Sequence, residues 1–321
     1  MKGTRVDPVV IVAGPTASGK SGLALALAEV LGGMVVNADS MQVYQDLAIL
    51  TARPDAAATA RAPHRLYGVI DAAEACSAGR WHRLAVAELA AARAAGRVPI
   101  LTGGTGLYLH ALVRGLAAVP PVPAALREEA RALHARLGAT AFHAAVAELD
   151  PEGAARLAVN DAQRLIRAYE VVKATGRPLS EWQRRHEPSP PIAAAAVLLL
   201  PPREPLYATC DARFAAMVEQ GAVEEVRQLR ARGLPPHLPA MKAVGVPELA
   251  AWLDGRISRE AAVAAAQQAT RHYAKRQYTW FRRQMPEAER LRKLTIEAQF
   301  SESLLPQILL FIRHFLLTAG A

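Results

Sequence analysis

Gly14-Pro15-Thr16-Ala17-Ser18-Gly19-Lys20-Ser21 satisfies the pattern G-x-x-x-x-G-K-[ST] at every fixed position, follows the short apolar run Val9 to Ala13, and opens an amphipathic stretch of leucine and alanine. This is the setting of a phosphate-binding P-loop between a strand and a helix, and it decides for a parallel α/β core. The residue types serve that chemistry. Glycines let backbone N–H groups wrap an anion, the helix N-terminus adds its positive dipole end, Lys20 supplies a point charge, and Ser21 can ligate Mg²⁺. Two linked phosphates are the expected guest, although the motif does not say whose.

Working outward, the helix runs to about Leu31, and Gly32-Gly33 stops it before a second apolar run, Met34 to Asn37, which ends in Ala38-Asp39-Ser40-Met41-Gln42. Functional side chains of parallel sheets gather beyond the carboxyl ends of strands, so Asp39 belongs beside the phosphate site. The plainer alternative is that Asp39, or Ser40, caps a following helix. Pro63 to Asp71 offers a further strand, with His64 in a structural role. Val98 to Thr102 gives another, leading into Gly103-Gly104-Thr105-Gly106, which directs Thr105 to the same crevice. None of these strands ends in the paired acids with which an ATPase holds Mg²⁺ and positions water, which weighs against a hydrolase.

The chain of 321 residues is 52% hydrophobic, much of it alanine, which suits one elaborated domain rich in helix or a core with a smaller module. Its net charge of +9 favours a polyanionic partner, nucleic acid before membrane surface, the alternative being a basic chain without such a role. Cys76 and Cys210 are the only cysteines and lie too far apart for a metal-ligand or C-x-x-C spacing, so a reducing, cytoplasmic setting is expected. Lys2 and Arg5 precede an apolar run too short for an export signal. Leu304 to Leu317 carries Pro306, Arg313 and His314 and reads as a packing helix, with no membrane partner.

Pro120 to Pro123 reads as a linker, after which α/β alternation gives way to Ala/Arg/Leu helices from about Ala124 to Trp182. The proline-rich Glu187 to Pro191 closes that segment, and Ala195 to Leu200 resumes a buried strand. The expected architecture is a P-loop parallel-sheet core flanked by helices, residues 1–119 and 193–321, with an all-α insertion at 120–192. Inside the insertion Asn160 and Asp161 offer caps for a helix that places Gln163 and Arg167 on one face. From Asp211 a helix should continue to Arg232, and Pro239 to Leu249 forms a short irregular motif. A helix from about Arg259 to Arg283 carries Arg271, Lys275, Tyr278, Thr279 and Arg282 within one arc, while Tyr273, Gln277 and Trp280 face the other way. Basic and aromatic residues so interleaved suit phosphate tracking with stacking, or else a merely solubilising stripe. The tail after Pro286 is assigned no chemistry.

Taken together, Gly14 to Ser21, Ala38 to Gln42, Thr51-Ala-Arg-Pro54, Pro63-His-Arg-Leu66, Gly103 to Tyr108, Asn160 to Arg167 and Lys275-Arg-Gln-Tyr-Thr-Trp280 resemble, in order and spacing from about residue 9 to 283, the tRNA dimethylallyltransferase (tRNA isopentenyltransferase) family in its bacterial form. The resemblance implies transfer of a dimethylallyl group from its diphosphate to N6 of the adenine on the 3′ side of the tRNA anticodon. It puts the donor diphosphate at Gly14, Pro15, Thr16, Ala17, Ser18, Gly19, Lys20 and Ser21 with Arg213, Mg²⁺ on Ser21, and catalysis on Asp39, Thr105, Lys20 and Arg213. It puts tRNA at Asp39, Ser40, Met41, Gln42, Thr105, Arg127, Gln163, Arg164, Leu165, Ile166, Arg167, Lys242, Gly245, Arg271, Lys275, Tyr278 and Arg282. A monomer is expected, since two substrates meeting in one crevice require no second subunit.

Two segments depart from the family pattern. Gly245-Val-Pro-Glu248 stands where Gly-Tyr with a basic or polar pair is frequent, and Arg53 stands where lysine is frequent. The zinc-finger extension of eukaryotic relatives has no Cys/His ligand set here. A P-loop kinase of a small metabolite, and an RNA-binding module with a relic P-loop, are the alternatives. The first leaves the basic helix without a task, and the second leaves Asp39 and Thr105 idle.

Overall fold

The computed structural model describes residues 7–117, 119–184, 192–285, 288 and 290–319. The chain divides into two compact units, Met1–Arg114 with Pro191–Ala321, and Gly115–Pro190. Lys2, Arg5 and the segment Glu187 to Pro191 lie outside the described residues.

The first unit is built on strands β1 (Asp7–Ala13), β2 (Met34–Asn37), β3 (His64–Arg65), β4 (Pro99–Gly103), β5 (Ile192–Leu199) and β6 (Leu291–Ile296), in the spatial order β3-β2-β4-β1-β5-β6. Every pairing is parallel, with Ile11 opposite both Leu101 and Ala196. The central strands are continuously apolar because both faces are covered. Val9 and Ile11 belong to one core cluster, and Val10 and Val12 to the other. From β1 the chain goes through α1 (Lys20–Leu31) to β2, leaving a gap that β4 fills, and β5 is later added on the opposite side of β1. The carboxyl end of β1 is therefore a topological switch point, where such sheets open a ligand crevice.

No helix follows Asp39 directly, so the capping alternative for Asp39 and Ser40 is overturned. The next helix, α2 (Ala56–Arg61), is capped by Asp55, whose carboxylate accepts from Ala58 N–H at 2.8 Å. The strand expected over Pro63 to Asp71 shrinks to two residues and a single Tyr44–Ile70 bridge, because Leu66 turns the chain at φ 63°. His64 is structural, its Nδ1 paired with Ala62 O at 2.8 Å. α3 (Ala78–Ala94) and α4 (Gly106–Arg114) complete this half.

The second unit contains α5 (Ala124–Leu149), interrupted at Gly138, then α6 (Pro151–Ala155), α7 (Ala162–Thr175) and α8 (Leu179–Arg184). Its core gathers Ala130, Phe142, Val146, Leu165 and Ala168. Asp161 caps α7, accepting from Arg164 N–H at 3.3 Å.

Back in the first unit, the single helix expected from Asp211 to Arg232 is instead α9 (Arg203–Met217), a π-helical segment Val218–Ala222 and α10 (Val223–Ala231). Gly221 breaks the helical path at φ 108°. α11 (Val246–Leu253), α12 (Arg259–Gln284) and α13 (Leu305–Thr318) follow. Among the described residues no helix is long and apolar enough to cross a membrane. Cys76 and Cys210 are free.

Candidate active site

Three strand ends supply the crevice. The P-loop follows β1, Asp39 follows β2, and Gly103-Gly104-Thr105 follows β4. The last two close on one another, since a Cβ on Gly103 would lie 2.1 Å from the carbonyl carbon of Ala38. Thr105 then accepts from Ser40 N–H at 2.9 Å, and its hydroxyl donates to Ser40 Oγ at 3.2 Å. Asp39 is held from behind by the buried Asn37, which accepts from Asp39 N–H at 2.8 Å and donates to Asp39 O at 3.0 Å. One oxygen of its own carboxylate accepts from Met41 N–H at 2.9 Å.

The first two of these strand ends border a cavity of about 210 Å³ lined by Thr16, Asp39 to Met41, Leu50, Thr51, Cys210, Arg213, Phe214, Met217, Lys242 to Val244, Thr270, Tyr273 and Arg276, while Thr105 stands behind Ser40 and outside the lining. α9 contributes Arg213, Phe214 and Met217, and α12 contributes Thr270, Tyr273 and Arg276 at helical spacing. The lining thus combines cations and a carboxylate with an apolar surface from Leu50, Phe214, Met217 and Val244.

Two partly buried cations, Lys20 and Arg213, lie within electrostatic reach of one carboxylate, Asp39. Burial lowers the Lys20 ammonium to about 8, the charge of Asp39 raising it and that of Arg213 lowering it. Burial also lowers Arg213, partly offset by Cys210 and Asp39. Among the described residues Lys20 Nζ donates to the carbonyl of Pro15 at 3.3 Å, and Arg213 donates to Thr16 Oγ1. Burial and the charge of Asp39 raise the Tyr273 phenol, keeping it protonated beside Thr105. In the P-loop Ser18 Oγ is buried and has no hydrogen-bond partner among the described residues. Partly buried positive charge of this kind is stabilised by an anion, and a buried hydroxyl without a partner suits an acceptor.

Among the described residues no group of three or more His, Cys, Asp or Glu could hold a metal. Mg²⁺ does not need one, since it is bound through one or two protein oxygens with phosphates and water. Ser21, exposed at the start of α1, and Asp39 are donors of that hard type.

A sequence model described as IPP transferase matches residues 42–284. The chain belongs to the IPP transferase family. It is 59% identical to the tRNA dimethylallyltransferase of Rhodospirillum centenum over 88% of this chain and 91% of that one. With the Rhodospirillum rubrum protein of the same name it is 54% identical over 98% and 97%. The solved full-length tRNA isopentenylpyrophosphate transferase of Bacillus halodurans superposes at TM-score 0.68 with 30% identity, covering 98% of each chain. A eukaryotic dimethylallyltransferase acting on tRNA superposes at 0.75 with 25% identity, covering 90% of this chain and 74% of that one. The IPP transferase likeness sets the small-molecule kinase aside.

The site residues expected from the sequence fall in several places. Thr16, Asp39, Ser40, Met41, Arg213 and Lys242 line the cavity. Gln42 is buried and donates to Thr51 O and Ala52 O at 2.8 and 3.1 Å. Arg271 is held by Asp211 at 2.6 and 2.7 Å. Lys275 and Arg282 are exposed on α12, and Tyr278 is half-buried under Arg203, 5.6 Å from its ring. In the helical unit Arg127, Gln163 and Arg164 are exposed and Ile166 and Arg167 partly so. Leu165 is a correction: its side chain is fully buried in that unit's core and has no surface to offer RNA.

Both departures have a local account. Glu248 accepts from Gly245 N–H at 2.9 Å, closing the start of α11. Arg53 donates from the one nitrogen Nη1 to Tyr44 O and Gln45 O at 3.2 and 3.3 Å, a contact that uses the positive charge but not the guanidinium fork.

Sequence reasoning did not assign Gln277 a task. It accepts from Thr16 N–H at 2.8 Å and donates to Gly104 O at 3.0 Å, tying the P-loop to the turn after β4. Its inward place on α12 was the available signal. Phe214 and Met217 were also missed as cavity wall, since an apolar helix face reads equally as core.

Proposed function

We propose that the chain transfers a dimethylallyl group from dimethylallyl diphosphate to N6 of the adenine adjacent, on the 3′ side, to the tRNA anticodon, releasing diphosphate. The observation that carries this reading is the meeting of Arg213 and Asp39 in the lining of a partly apolar cavity beside the P-loop, with Lys20 near enough for the charges of both to act on it. Such a cavity suits an uncharged prenyl chain attached to a diphosphate.

The P-loop amides, Lys20, Arg213 and Thr16 hold the diphosphate and stabilise its charge as the carbon–oxygen bond breaks, where loss of a single such donor costs about 10² to 10³ in rate. The N6 lone pair forms the new bond to carbon, and Asp39 takes the departing N6 proton. Thr105 and Asn37 keep the Asp39 loop in place. Mg²⁺ held through Ser21 would offset diphosphate charge.

The adenine must leave the anticodon stack to reach this depth. Ser40, Met41, Lys242, Lys275, Tyr278 and Arg282 are the proposed RNA contacts of the first unit, with Gln42, Gly245 and Arg271 acting through the loops and helices they hold. Arg127, Gln163, Arg164, Ile166 and Arg167 are those of the helical unit, acting on the stem-loop. We place this reaction in the cytosol and assign it to a monomer, since two substrates meeting in one crevice require no second subunit.

Incubating unmodified tRNA with the protein, dimethylallyl diphosphate and Mg²⁺, then digesting it for mass spectrometry, should show one added prenyl mass on one adenosine. Release of diphosphate or phosphate without a tRNA mass gain would overturn the proposal.

A further inference from the structure

The segment between β6 and α13 had no task in the sequence, and it lies beyond the residues matched by the family model, 42–284. It runs along the outside of the P-loop. Gln299 Nε2 donates to Ala17 O at 3.1 Å and to Thr209 Oγ1 at 2.8 Å, using both of its hydrogens. Phe300 N–H donates to Ser18 O at 3.1 Å. A Cβ on Gly19, which has φ 85°, would meet Phe300 Cβ at 2.8 Å, so the two backbones touch there without a side chain between them.

These bonds fall where the loop is least stable alone. Ala17 adopts φ 65°, a left-handed conformation that costs a non-glycine residue free energy. In a planar trans peptide the N–H points away from the C=O. Holding Ser18 O toward Phe300 therefore aims Gly19 N–H to the opposite side, away from the tail segment. Thr209 also lies one turn before Arg213 on α9 and donates its own hydroxyl to Pro205 O at 2.9 Å. One amide group thus joins the anion-binding loop to the helix that carries Arg213, the second of the two partly buried cations.

We infer that Gln299 is a positioning residue for the donor diphosphate, and that the segment around Gln299 and Phe300 acts as a strap fixing the P-loop and α9 in one geometry. The inference rests on the reading of the P-loop as the diphosphate site. It predicts a selective defect: the donor side loosens while the tRNA side does not.

The test compares wild type, Gln299→Ala, Thr209→Val and Lys20→Ala. Inorganic diphosphate binding is measured by calorimetry with Mg²⁺, KM is measured separately for dimethylallyl diphosphate and for tRNA, and Tm is recorded for each. Gln299→Ala should weaken diphosphate binding and raise the donor KM by about tenfold, with the tRNA KM unchanged. Thr209→Val, which keeps the side-chain shape and removes one anchor, should move the same quantities in the same direction by less. Should Gln299→Ala fail to fold, the Thr209→Val donor shift decides the matter. Unchanged diphosphate binding in both variants, or donor and tRNA KM rising together with a fall in Tm, would overturn the strap. If Lys20→Ala still loses diphosphate in that case, the P-loop reading survives without it. If wild type and Lys20→Ala bind diphosphate equally, both fall.

Discussion

Asp39 owes its orientation to Asn37, which grips both the N–H and the carbonyl of Asp39 and also donates to Leu66 O at 3.1 Å. With no helix to cap and Oδ1 accepting from Met41 N–H at 2.9 Å, it is the other oxygen of the carboxylate that is the candidate proton acceptor or metal ligand. Asp39→Asn is nearly isosteric. If Asp39 is the base, donor binding persists with or without Mg²⁺ and the single-turnover rate falls by about 10² to 10⁴, or roughly 3 to 5 kcal/mol in the barrier. A near-wild-type rate sinks the base assignment, and a selective loss of Mg²⁺-dependent donor binding makes Asp39 a metal ligand. Lys20 gives a second prediction. Its ammonium, lowered to about 8 by burial, is charged below that pH, and a bound diphosphate favours the charged form. Donor affinity should stay level from pH 7 to 8, where the second phosphate proton, with a pKa of about 6, is already lost, and then fall about tenfold per unit. Lys20→Arg should remove the bend because a guanidinium stays charged, and a wild-type profile flat to about pH 9.5 contradicts the lowered lysine.

At the level of elements, legibility followed the range of the interactions. β1, β2 and β4 were readable because short apolar runs met glycine turns, and α12 because caps and periodicity agree: Ser258 accepts from Ala261 N–H at 3.2 Å at its start. β6 was not readable. It is an edge strand, Leu291-Arg-Lys-Leu-Thr-Ile, whose charged residues discourage further pairing and hide the strand pattern. The π-segment was equally hidden, since Gly221 alone reads as a tolerated helix glycine. Beyond that segment, in α10, Glu225 accepts from three successive N–H groups, Ala48 and Ile49 through Oε1 at 2.6 and 2.8 Å and Leu50 through Oε2 at 2.9 Å. No local sequence signal links residues so far apart. Leu50 and Thr51 line the cavity, so this carboxylate fixes one of its walls. Glu225→Gln keeps one acceptor but turns an amide donor toward another donor. It should cost about 1 to 3 kcal/mol in denaturant unfolding and speed hydrogen exchange at 48–50. Exchange at wild-type rates would show that the loop is held by other contacts.

For the whole molecule the net charge of +9 acts on the two substrates unequally. On the proposed reading the donor binds through a few partly enclosed groups, which salt screens little, whereas a tRNA stem-loop would be met by exposed cations and release counterions on binding. Raising salt should therefore weaken tRNA binding steeply and donor binding far less. The charge balance was legible in composition, but how each cation is already engaged was not, because that depends on neighbours brought together by folding. Arg271 is committed to Asp211 at 2.6 Å, and Arg164 lies 3.4 Å from Asp161. Arg167 has a looser partner, Glu170 at 3.5 Å, with 41% of its own side chain exposed and only 9% of the glutamate's. A phosphate can compete for a cation held in this way, whereas the closer Arg271 pair, in which Nη1 reaches both Asp211 oxygens, would have to break. Arg167→Ala should consequently lower the slope of log affinity against log salt by about one unit, while Arg271→Ala should leave the slope unchanged and act through the packing of α12 on α9. Salt titrations of stem-loop binding for wild type and both variants separate the two cases. Equal slopes for wild type and Arg167→Ala would take Arg167 off the phosphate, and a reduced slope for Arg271→Ala would put Arg271 on it.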